Sequence, residues 1–350
     1  MTVTQPERAT GTAAAEPEGA TGSAAAEPER ATGSAAAEPG RVSVVAVTYS
    51  PGPALTRFLD SLAGASSQPV EVVLADNGST DGAPQLAAER PGVRMLATGG
   101  NLGYGRAANL GVAATSTEWV VVSNPDVVWR PGALDELLAV AARWPRAGAV
   151  GPLIRTERDE VYPSARELPA LGQGIGHALL GTVWPGNRWT RRYRREQAPT
   201  ERPAGWLSGS CLLLRRAAFD SVHGFDPRYF MYFEDVDLGE RLAAAGWLNI
   251  YAPSAEIVHT GSHATANNRQ AMFVEHHRSA YRYLSGRYPG WRWAPVRLAL
   301  RIGLVARARL ASPLIGFADR HRADRHRADR HQGDGHRADR ASAPSGGGEA

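Results

Sequence analysis

Polar side chains follow four successive apolar runs in the first half of this sequence. They are Thr48 and Ser50, Asp76 and Asn77, Asn101, and then Asn124 and Asp126. Short β-branched runs are typical of buried strands, and the ligands of open parallel sheets collect beyond the carboxyl ends of those strands. Each polar group alone is more typical of an ordinary turn. Four groups at the same edge of one sheet predict a ligand-binding crevice.

Asp126 and His259 are candidates for a metal site in this crevice. His259 closes a further apolar segment, residues 249–259, and could be aimed at the same edge as Asp126. A single histidine is more often structural, but imidazole and carboxylate together suit a divalent cation.

Three acids begin a predicted helix in the second half, directly after an aromatic stretch. Glu234, Asp235 and Asp237 follow Tyr229, Phe230, Tyr232 and Phe233. A structural interpretation is that the helix dipole favours acids in the first turn, where Asp237 also forms an i,i+4 pair with Arg241. An apolar wall raises the basicity of a carboxylate, and aromatic faces stack on sugar rings. The second interpretation is therefore a basic carboxylate beside a sugar.

The segment GWLSGSCLLL, residues 205–214, predicts a strand that is kinked at its Gly-Ser step. Ser208 and Ser210 lack the G-x-S-x-G context of a nucleophile, so we expect them to shape the backbone or to contact a ligand. Cys211 precedes three leucines and is most simply a buried apolar residue.

Alternating strand and helix patterns must position these groups. Strands are predicted over 42–49, 70–75, 93–97 and 119–123, and helical spacing occurs over 55–62 and 107–114. This alternation is the signature of βαβ units. The predicted fold class is therefore α/β, with a mostly parallel central sheet flanked by helices.

Composition separates the ends of the chain from its middle. Residues 6–38 repeat an eleven-residue Ala/Gly/Pro/Glu unit, and residues 318–350 repeat Arg, Asp and His without a large apolar side chain. Such segments bury too little apolar surface to become ordered, so disorder is predicted over 1–40 and 318–350. The middle is assigned as one domain over 41–290.

The middle of the chain is basic. The first forty residues carry six Glu and two Arg, so the other 310 residues have a net charge of +8, and every fixed cation is an arginine. Five arginines within 188–195 alternate with Trp189 and Tyr193. This pattern fits a solvated loop, a nucleic-acid patch or a site for anionic headgroups.

The segment 291–317 combines arginines with Trp, Leu, Ile and Val, and it predicts an amphipathic helix lying at a membrane surface. No apolar run reaches the roughly 18 residues that span a bilayer. The single Cys211 excludes an intramolecular disulfide and fits a reducing compartment. Because no apolar region occurs at the N-terminus, we expect a cytoplasmic location.

A dinucleotide-binding fingerprint is a competing interpretation of residues 103–108. Gly103, Gly105 and Ala108 form a G-x-G-x-x-A pattern between a predicted strand and helix, and Asp126 lies about twenty residues on. This pattern would indicate a dinucleotide-dependent oxidoreductase. It normally follows the first strand of its domain, whereas two β-α units precede it here.

Five motifs together resemble a known family. VSVVAVTYSPG, DNGSTDG, NLGYGRAAN, NPDV and the stretch from GWLSGSCLLL to FMYFEDVDLG resemble, in order, inverting family 2 glycosyltransferases with the GT-A fold. The resemblance implies a nucleotide-binding half over 41–130, an acceptor half over 131–290 and a membrane-associating C-terminal helical segment.

The resemblance also implies roles for donor-binding residues. Asp126, at the last acid of a D-x-D-type motif, would hold Mg²⁺ or Mn²⁺ together with His259. Asn124 replaces the first acid and would be free to bind the sugar or ribose of the donor. Asp76 would accept a hydrogen bond from the base. Thr48 and Asn101 would line the nucleotide, and Ser50, Asn77 and Gly103 complete this set.

On the acceptor side, the resemblance places the general base at Asp235, with Glu234 as the competing candidate. Acceptor contacts are expected at Trp206, Ser208, Gly209 and Tyr232. Attack of the acceptor hydroxyl from the face opposite the leaving group would invert the configuration of the sugar.

The segments VAVTYSPGP, GPLIR and VYPSAR are most similar to family members that use dTDP-L-rhamnose. The implied acceptor is the 3-position of GlcNAc-diphospho-polyprenol, in the linker between peptidoglycan and arabinogalactan. The implied place of action is the inner face of the plasma membrane, with peripheral attachment and no nucleic-acid partner.

Three alternatives stay open at this point. The same fold could transfer galactofuranose or glucose, the chain could bind nucleotide sugars or nucleic acid without catalysis, or it could be the oxidoreductase described above. No particular oligomeric state is predicted.

Overall fold

A ten-stranded mixed sheet forms the centre of the computed structural model, which describes residues 42–169, 199–261, 269–307 and 309. Its first elements are β1 (Val42–Thr48), α1 (Pro53–Leu62), β2 (Glu71–Asp76), α2 (Ala83–Ala87), β3 (Val93–Ala97), α3 (Tyr104–Ala113) and β4 (Trp119–Ser123). Strands β3, β2, β1 and β4 lie side by side and run parallel. The βαβ units predicted from the sequence are confirmed.

Later strands extend this sheet and make it mixed. They are β5 (Val127–Trp129), β6 (Ala147–Arg155), β7 (Val161–Tyr162), β9 (Arg202–Ala204), β11 (Cys211–Arg215) and β12 (Leu248–His259). Strand β11 lies between β4 and β6 and is antiparallel to both, whereas β12 runs parallel to β6. The parallel arrangement therefore covers the first half of the sheet and the β6–β12 pair.

A small second sheet consists of β8 (Ala165–Arg166) and β10 (Trp206–Leu207). The segment predicted as one kinked strand is thus two strands, β10 and β11, that belong to different sheets. Residues 208–210 connect them. This break at the Gly-Ser step brings the chain from the small sheet into the central one.

Helices cover both faces of the central sheet. The remaining helices are α4 (Ala133–Arg143), α5 (Arg216–Ser221), α6 (Glu234–Ala244), α7 (Arg269–Arg287) and α8, residues 294–307. Successive side chains of a strand point to opposite faces. In β1, Val44 and Ala46 pack in the cluster that contains α1 and α4, while Val45 and Val47 pack with α3 and α6.

Strands from both predicted halves of the domain share one sheet. Strand β4 pairs with β11, and β5 pairs with β12, so residues below and above 130 are hydrogen-bonded neighbours. The boundary at 130 between a nucleotide-binding and an acceptor half stays a prediction. The terminal segments 1–40 and 318–350 lie outside the described residues.

The C-terminal helix α8 has several large apolar side chains in solvent, among them Leu298 and Ile302. Within the part of the chain that the structure describes, no helix combines the length and apolar character needed to cross a bilayer. Cys211 is fully buried, as predicted.

Gly111 allows α3 to pack closely on β1. A Cβ atom at this position would lie 2.3 Å from Cγ1 of Val45 and 3.3 Å from Cβ of Ala75. Overpacking of a well-filled core costs about 1–3 kcal/mol. We expect Gly111→Ala to lower the free energy of unfolding by this amount, measured by urea denaturation.

A matched control is Gly286→Ala in α7, where an added Cβ would meet no atom within 4 Å. Alanine there should leave stability unchanged or raise it by up to about 1 kcal/mol. Equal effects of the two substitutions would contradict the close packing of α3 on β1.

Candidate active site

Thr48 and Asp76 meet at the carboxyl ends of β1 and β2. The Thr48 hydroxyl donates to Oδ1 of Asp76 at 3.0 Å, and the backbone N–H of Ser79 donates to both oxygens of that carboxylate. Asp76 is buried, and the hydrogen bonds that its carboxylate accepts from Ser79 fix the turn that follows β2. The predicted approach of these two strand ends is confirmed by their register, in which Thr48 lies opposite Asp76.

Ser50 belongs to a loop that is tied to the 79–81 turn. Its backbone N–H donates to Oγ of Ser79 at 2.8 Å, and its hydroxyl accepts from the N–H of Thr80 at 3.0 Å. The next loop residue but one, Gly52, donates to Oδ2 of Asp81 at 2.7 Å. Ser50 has φ 48°, a left-handed conformation that these bonds hold in place.

Asn77 uses its whole side chain to hold the loop after β3. Its Nδ2 donates to Oδ1 of Asn101 at 3.1 Å and to the carbonyl of Gly103 at 3.3 Å. Its Oδ1 accepts from the N–H of Leu102 and the hydroxyl of Thr98. All positions of the amide are therefore occupied within the protein. A direct contact of Asn77 with a nucleotide stays a prediction and would require one of these bonds to be exchanged.

Gly103 packs against the loop before α6. A Cβ atom at Gly103 would lie 2.3 Å from the carbonyl oxygen of Phe230, and the N–H of Tyr104 donates to that same oxygen at 2.9 Å. The first glycine of the G-x-G-x-x-A pattern thus makes room for a protein carbonyl. The first N–H of α3, which a dinucleotide-binding helix would direct toward pyrophosphate, is here bonded to Phe230.

Asp126 and His259 lie side by side at the other end of the crevice. Strand β12 pairs antiparallel with β5, and this register places His259 opposite Val127. Nε2 of His259 is 3.1 Å from Oδ1 of Asp126 and 3.2 Å from Nδ2 of Asn124. His259 is therefore aimed at residues 124–126, here called the NPD segment, as the sequence predicted.

The Asp126–His259 pair fits a divalent cation. Two ligand atoms at right angles, each about 2.1 Å from an octahedral cation, lie about 3.0 Å apart, and the observed separation of Nε2 and Oδ1 is 3.1 Å. No cluster of three or more His, Cys, Asp or Glu side chains suited to a metal occurs among the described residues. The protein would thus supply two ligands and leave other positions to phosphate oxygens and water.

Asp235 lies at the start of α6, against the chain between β10 and β11. The N–H of Gly209 donates to its Oδ2 at 2.9 Å, and the N–H of Val236 donates to its Oδ1 at 2.9 Å. Ser208 is anchored beside them, because its N–H donates to the carbonyl of Ser164 at 2.8 Å. Two residues after Ser208, the carbonyl of Ser210 accepts from the N–H of Asn124, which connects residues 208–210 to the NPD segment.

Glu234 and Asp235 differ in their surroundings. Burial raises the pKa of Glu234, and the neighbouring Asp235 raises it further. Its buried Oε2 has no hydrogen-bond partner within the described residues. Burial also raises the pKa of Asp235, but the N–H donors of Gly209 and Val236 act in the opposite direction. We therefore expect Glu234 to be neutral and Asp235 to carry the charge of the pair.

Tyr104 contacts the residues between β10 and β11, and the sequence analysis did not identify it as a site residue. Its hydroxyl donates to the carbonyl of Gly209 at 2.6 Å. Burial raises the pKa of Tyr104, and the acids near it raise it further. Gly209 also donates to Asp235, and Ser210 accepts from Asn124, so one short segment contacts Tyr104, the candidate base and the residues next to the candidate cation ligand. Its place inside NLGYGRAAN was the available signal.

Helix α7 holds the aromatic loop that carries Tyr232. Tyr232 and Phe233 have φ values of 68° and 67°, and both rings contact His276 edge-on at 5.3 and 5.5 Å. The hydroxyl of Ser279 donates to the carbonyl of Met231 at 2.9 Å. The conformation of this loop thus depends on a helix that follows it by about forty residues.

Trp206 packs against α6, the helix that begins with Glu234 and Asp235, and it is partly exposed. Its indole N–H donates to the carbonyl of Glu167 at 3.1 Å. The arginine-rich stretch 188–195 lies outside the described residues.

The sequence profile described as Glycosyl transferase family 2 matches residues 43–223, which is about half of the chain. A second profile, Glycosyl transferase family group 2, matches residues 186–319. The chain belongs to glycosyltransferase family 2. The family 2 glycosyltransferase prediction and its α/β GT-A fold are thereby confirmed, and the oxidoreductase interpretation of residues 103–108 is not supported.

Two of the chain's relatives are rhamnosyltransferases by name. The family 2 chain is 56% identical over 280 residues to the N-acetylglucosaminyl-diphospho-decaprenol L-rhamnosyltransferase of Mycobacterium tuberculosis, covering 76% of this chain and 91% of that protein. It is 26% identical over 252 residues to rhamnosyltransferase WbbL of Escherichia coli, covering 70% and 92%.

Among solved structures, the mannosyltransferase PcManGT of Pyrobaculum calidifontis, in complex with GDP-Man and Mn²⁺, is similar with a TM-score of 0.48 and 20% identity. The similarity covers 79% of this chain and 71% of that one.

Burial of Glu234 predicts a pH-dependent stability. The folded protein keeps a proton on this group above the ordinary pKa of 4.5, whereas the unfolded chain releases it. Stability should therefore fall as pH rises above 4.5, by up to about 1.4 kcal/mol per pH unit. Glu234→Gln should flatten this part of the profile, measured by urea unfolding between pH 5 and 8.

The matched control is Glu89→Gln, at an exposed position in the turn after α2. This variant should keep the wild-type slope. A Glu234→Gln variant with an unchanged slope would show that Glu234 is ionised in the folded protein.

Proposed function

We propose that this family 2 glycosyltransferase moves L-rhamnose from dTDP-L-rhamnose to the 3-position of GlcNAc-diphospho-polyprenol, with inversion. The carrying observation is that Gly209 and Ser210 contact both the candidate base Asp235 and the backbone of Asn124 beside the Asp126–His259 pair, together with 56% identity to the mycobacterial rhamnosyltransferase. That relative's name supplies the sugar and the class of acceptor. The product would be the linker disaccharide of a cell-wall polymer.

The donor binds, in this proposal, at the carboxyl ends of β1 to β4. Asp76 has one carboxylate oxygen held by Thr48, and the other could accept an N–H from the thymine base. Asn101 and the loop fixed by Asn77 border the nucleotide. Asn124 donates toward the sugar or the ribose.

Mg²⁺ or Mn²⁺ fits the Asp126–His259 pair, and a bound cation would neutralise charge that develops on the departing dTDP. Asn124 in place of a first acid leaves the protein with one carboxylate ligand here. The diphosphate itself would supply further oxygens, so cation and donor should bind together.

Asp235 accepts the proton of the attacking acceptor hydroxyl in the proposed mechanism. Its two N–H donors fix the carboxylate and use one lone pair on each oxygen, so further lone pairs are available to the acceptor. Attack from the face opposite dTDP inverts the anomeric carbon in one displacement. Trp206, Ser208, Gly209 and Tyr232 would border the GlcNAc ring.

Transfer of a different sugar, such as galactofuranose or glucose, is the competing candidate within the family. The decisive experiment incubates the protein with dTDP-rhamnose, Mg²⁺ or Mn²⁺ and a short-chain GlcNAc-diphospho-prenol, followed by mass spectrometry. A rhamnosylated lipid supports the proposal, and its loss with EDTA supports the cation. If rhamnose is not transferred but another nucleotide sugar is turned over, the competing candidate replaces the proposal.

Membrane attachment through the surface of α8 belongs to the same proposal. Leu298, Ile302 and Val305 recur at i, i+4 and i+7 and are exposed, as is Trp291 at 81%. Arg301 lies beside this stripe and is also exposed. Apolar side chains with flanking arginines fit an anionic bilayer, the place where a polyprenyl acceptor resides. We infer peripheral attachment at the inner face of the plasma membrane.

Asp235→Asn should lower kcat by at least about 100-fold because the amide cannot take a proton. Binding of dTDP, measured by calorimetry, should stay within about twofold of wild type, since Asp235 faces the acceptor.

Asp237→Asn is the control for Asp235→Asn. Asp237 lies two residues further along α6, and its carboxylate pairs with Arg241 at 2.7 Å. It should retain kcat within a few-fold. Substantial turnover by Asp235→Asn would move the base to Glu234.

Leu298→Ser combined with Ile302→Ser should reduce cosedimentation of the full chain with phosphatidylglycerol vesicles by about tenfold, because each exposed side chain contributes burial energy. Phosphatidylcholine vesicles should bind less of the wild-type protein.

Leu86→Ser is the control for the α8 double variant, since Leu86 is equally exposed on α2. Undiminished vesicle binding by the double variant would reject attachment through α8.

A further inference from the structure

Arg166 is held in a fixed position by the small sheet of β8 and β10. It lies opposite Trp206 in the register of that sheet. Its guanidinium carbon is 5.6 Å from the ring centroids of both Tyr162 and Trp206, and its Nε donates to the carbonyl of Pro163 at 2.8 Å. Two aromatic rings and one hydrogen bond therefore orient the guanidinium group.

The same small sheet lies next to the candidate base. Gly239 follows Asp235 by four residues, a rise of about 6 Å along α6, and a Cβ atom at Gly239 would lie 2.8 Å from Cβ of Trp206. Gly209, three residues after Trp206, donates to Asp235. The positive charge of Arg166 lowers the pKa of Asp235, which agrees with this proximity. Arg166 is thus a cation at the acceptor side of the site.

Arg166 differs in its partners from other arginines among the described residues. Arg155 pairs with Glu256 at 3.0 Å, and Arg143 pairs with Glu201 at 2.7 Å. Within the residues that the structure describes, Arg166 has no carboxylate partner, and only its Nε is bonded. Its two terminal nitrogens keep their N–H donors. A planar fork of this kind matches two phosphate oxygens at once.

A sugar-diphospho-lipid acceptor would bring an anion to this place. If its hydroxyl lies at Asp235, its diphosphate lies across the same sugar ring, within one ring's width of the base. The donor diphosphate would instead lie at the Asp126–His259 pair, the site of the candidate cation. The acceptor therefore requires a second anion site, and Arg166 is a cation close to Asp235.

We propose that Arg166, oriented by Tyr162 and Trp206, binds the diphosphate of the lipid-linked acceptor and so selects acceptors that carry this group. This assignment rests on the proposed function. It adds Arg166 and Tyr162 to the acceptor site and gives Trp206 a second role, since its ring holds the guanidinium group as well as bordering the sugar.

The test compares two acceptors that differ in phosphate, a short-chain GlcNAc-diphospho-prenol and octyl N-acetylglucosaminide. Arg166→Ala should raise KM for the diphosphate acceptor by at least about tenfold, the typical effect of losing a charged hydrogen bond. Its KM for dTDP-rhamnose should stay within about twofold. Arg166→Lys should fall between, because lysine keeps the charge but loses the fork.

For octyl N-acetylglucosaminide, wild type and Arg166→Ala should agree within about twofold, read from turnover or, if turnover is too slow, from ligand-observed NMR binding. Arg158→Ala, at an exposed position of the β6–β7 turn, controls for a general loss of positive charge and should match wild type. Thermal unfolding checks that each variant folds. If Arg166→Ala does not fold, the KM values of Arg166→Lys for the two acceptors test the assignment instead.

Equal losses with both acceptors would overturn the assignment, and a raised donor KM would move Arg166 to the departing dTDP. Failure of wild type to rhamnosylate the diphosphate acceptor would instead overturn the proposed function. The two failures are therefore distinguishable.

Discussion

The hydrogen bond from the Gly209 N–H to the Asp235 carboxylate is the contact on which the rest of the site depends. It fixes the first turn of α6 against the chain that passes from the small sheet to the central one. The same peptide region accepts from Tyr104 through its carbonyl and, through Ser210, receives the N–H of Asn124. A short run of backbone thus links the candidate base, the candidate cation ligands and the helix after β3.

The two adjacent acids Glu234 and Asp235 have different electrostatic surroundings. Glu234 is enclosed without a partner for one oxygen, whereas Asp235 is surrounded by N–H donors. Two neighbouring carboxyl groups in a poorly solvated place cannot both ionise cheaply. The backbone N–H donors favour ionisation of Asp235, so the choice of Asp235 as the candidate base follows from hydrogen bonding as much as from position in the sequence.

Much of the crevice could be predicted from strand periodicity alone. Thr48 and Asp76 meet because parallel strands share an edge, and His259 reaches Asp126 because a strand ends there. Contacts between segments that are distant in the sequence were harder to predict. The pairing of β11 against β4, the enclosure of Gly103 by Phe230 and the approach of Tyr104 to Gly209 join distant segments, which no local pattern encodes.

The paired left-handed residues Tyr232 and Phe233 set a lower limit on the length of a working catalytic unit. Each such conformation in a bulky residue costs roughly 1–3 kcal/mol, which surrounding contacts must offset. Here the offset comes from α7, through His276 and Ser279, beyond the 43–223 match of the family profile. A fragment trimmed to 43–223 would lack this turn altogether, and a fragment that ended after α6 would keep the turn without the helix that holds it. A stable unit therefore has to extend through α7.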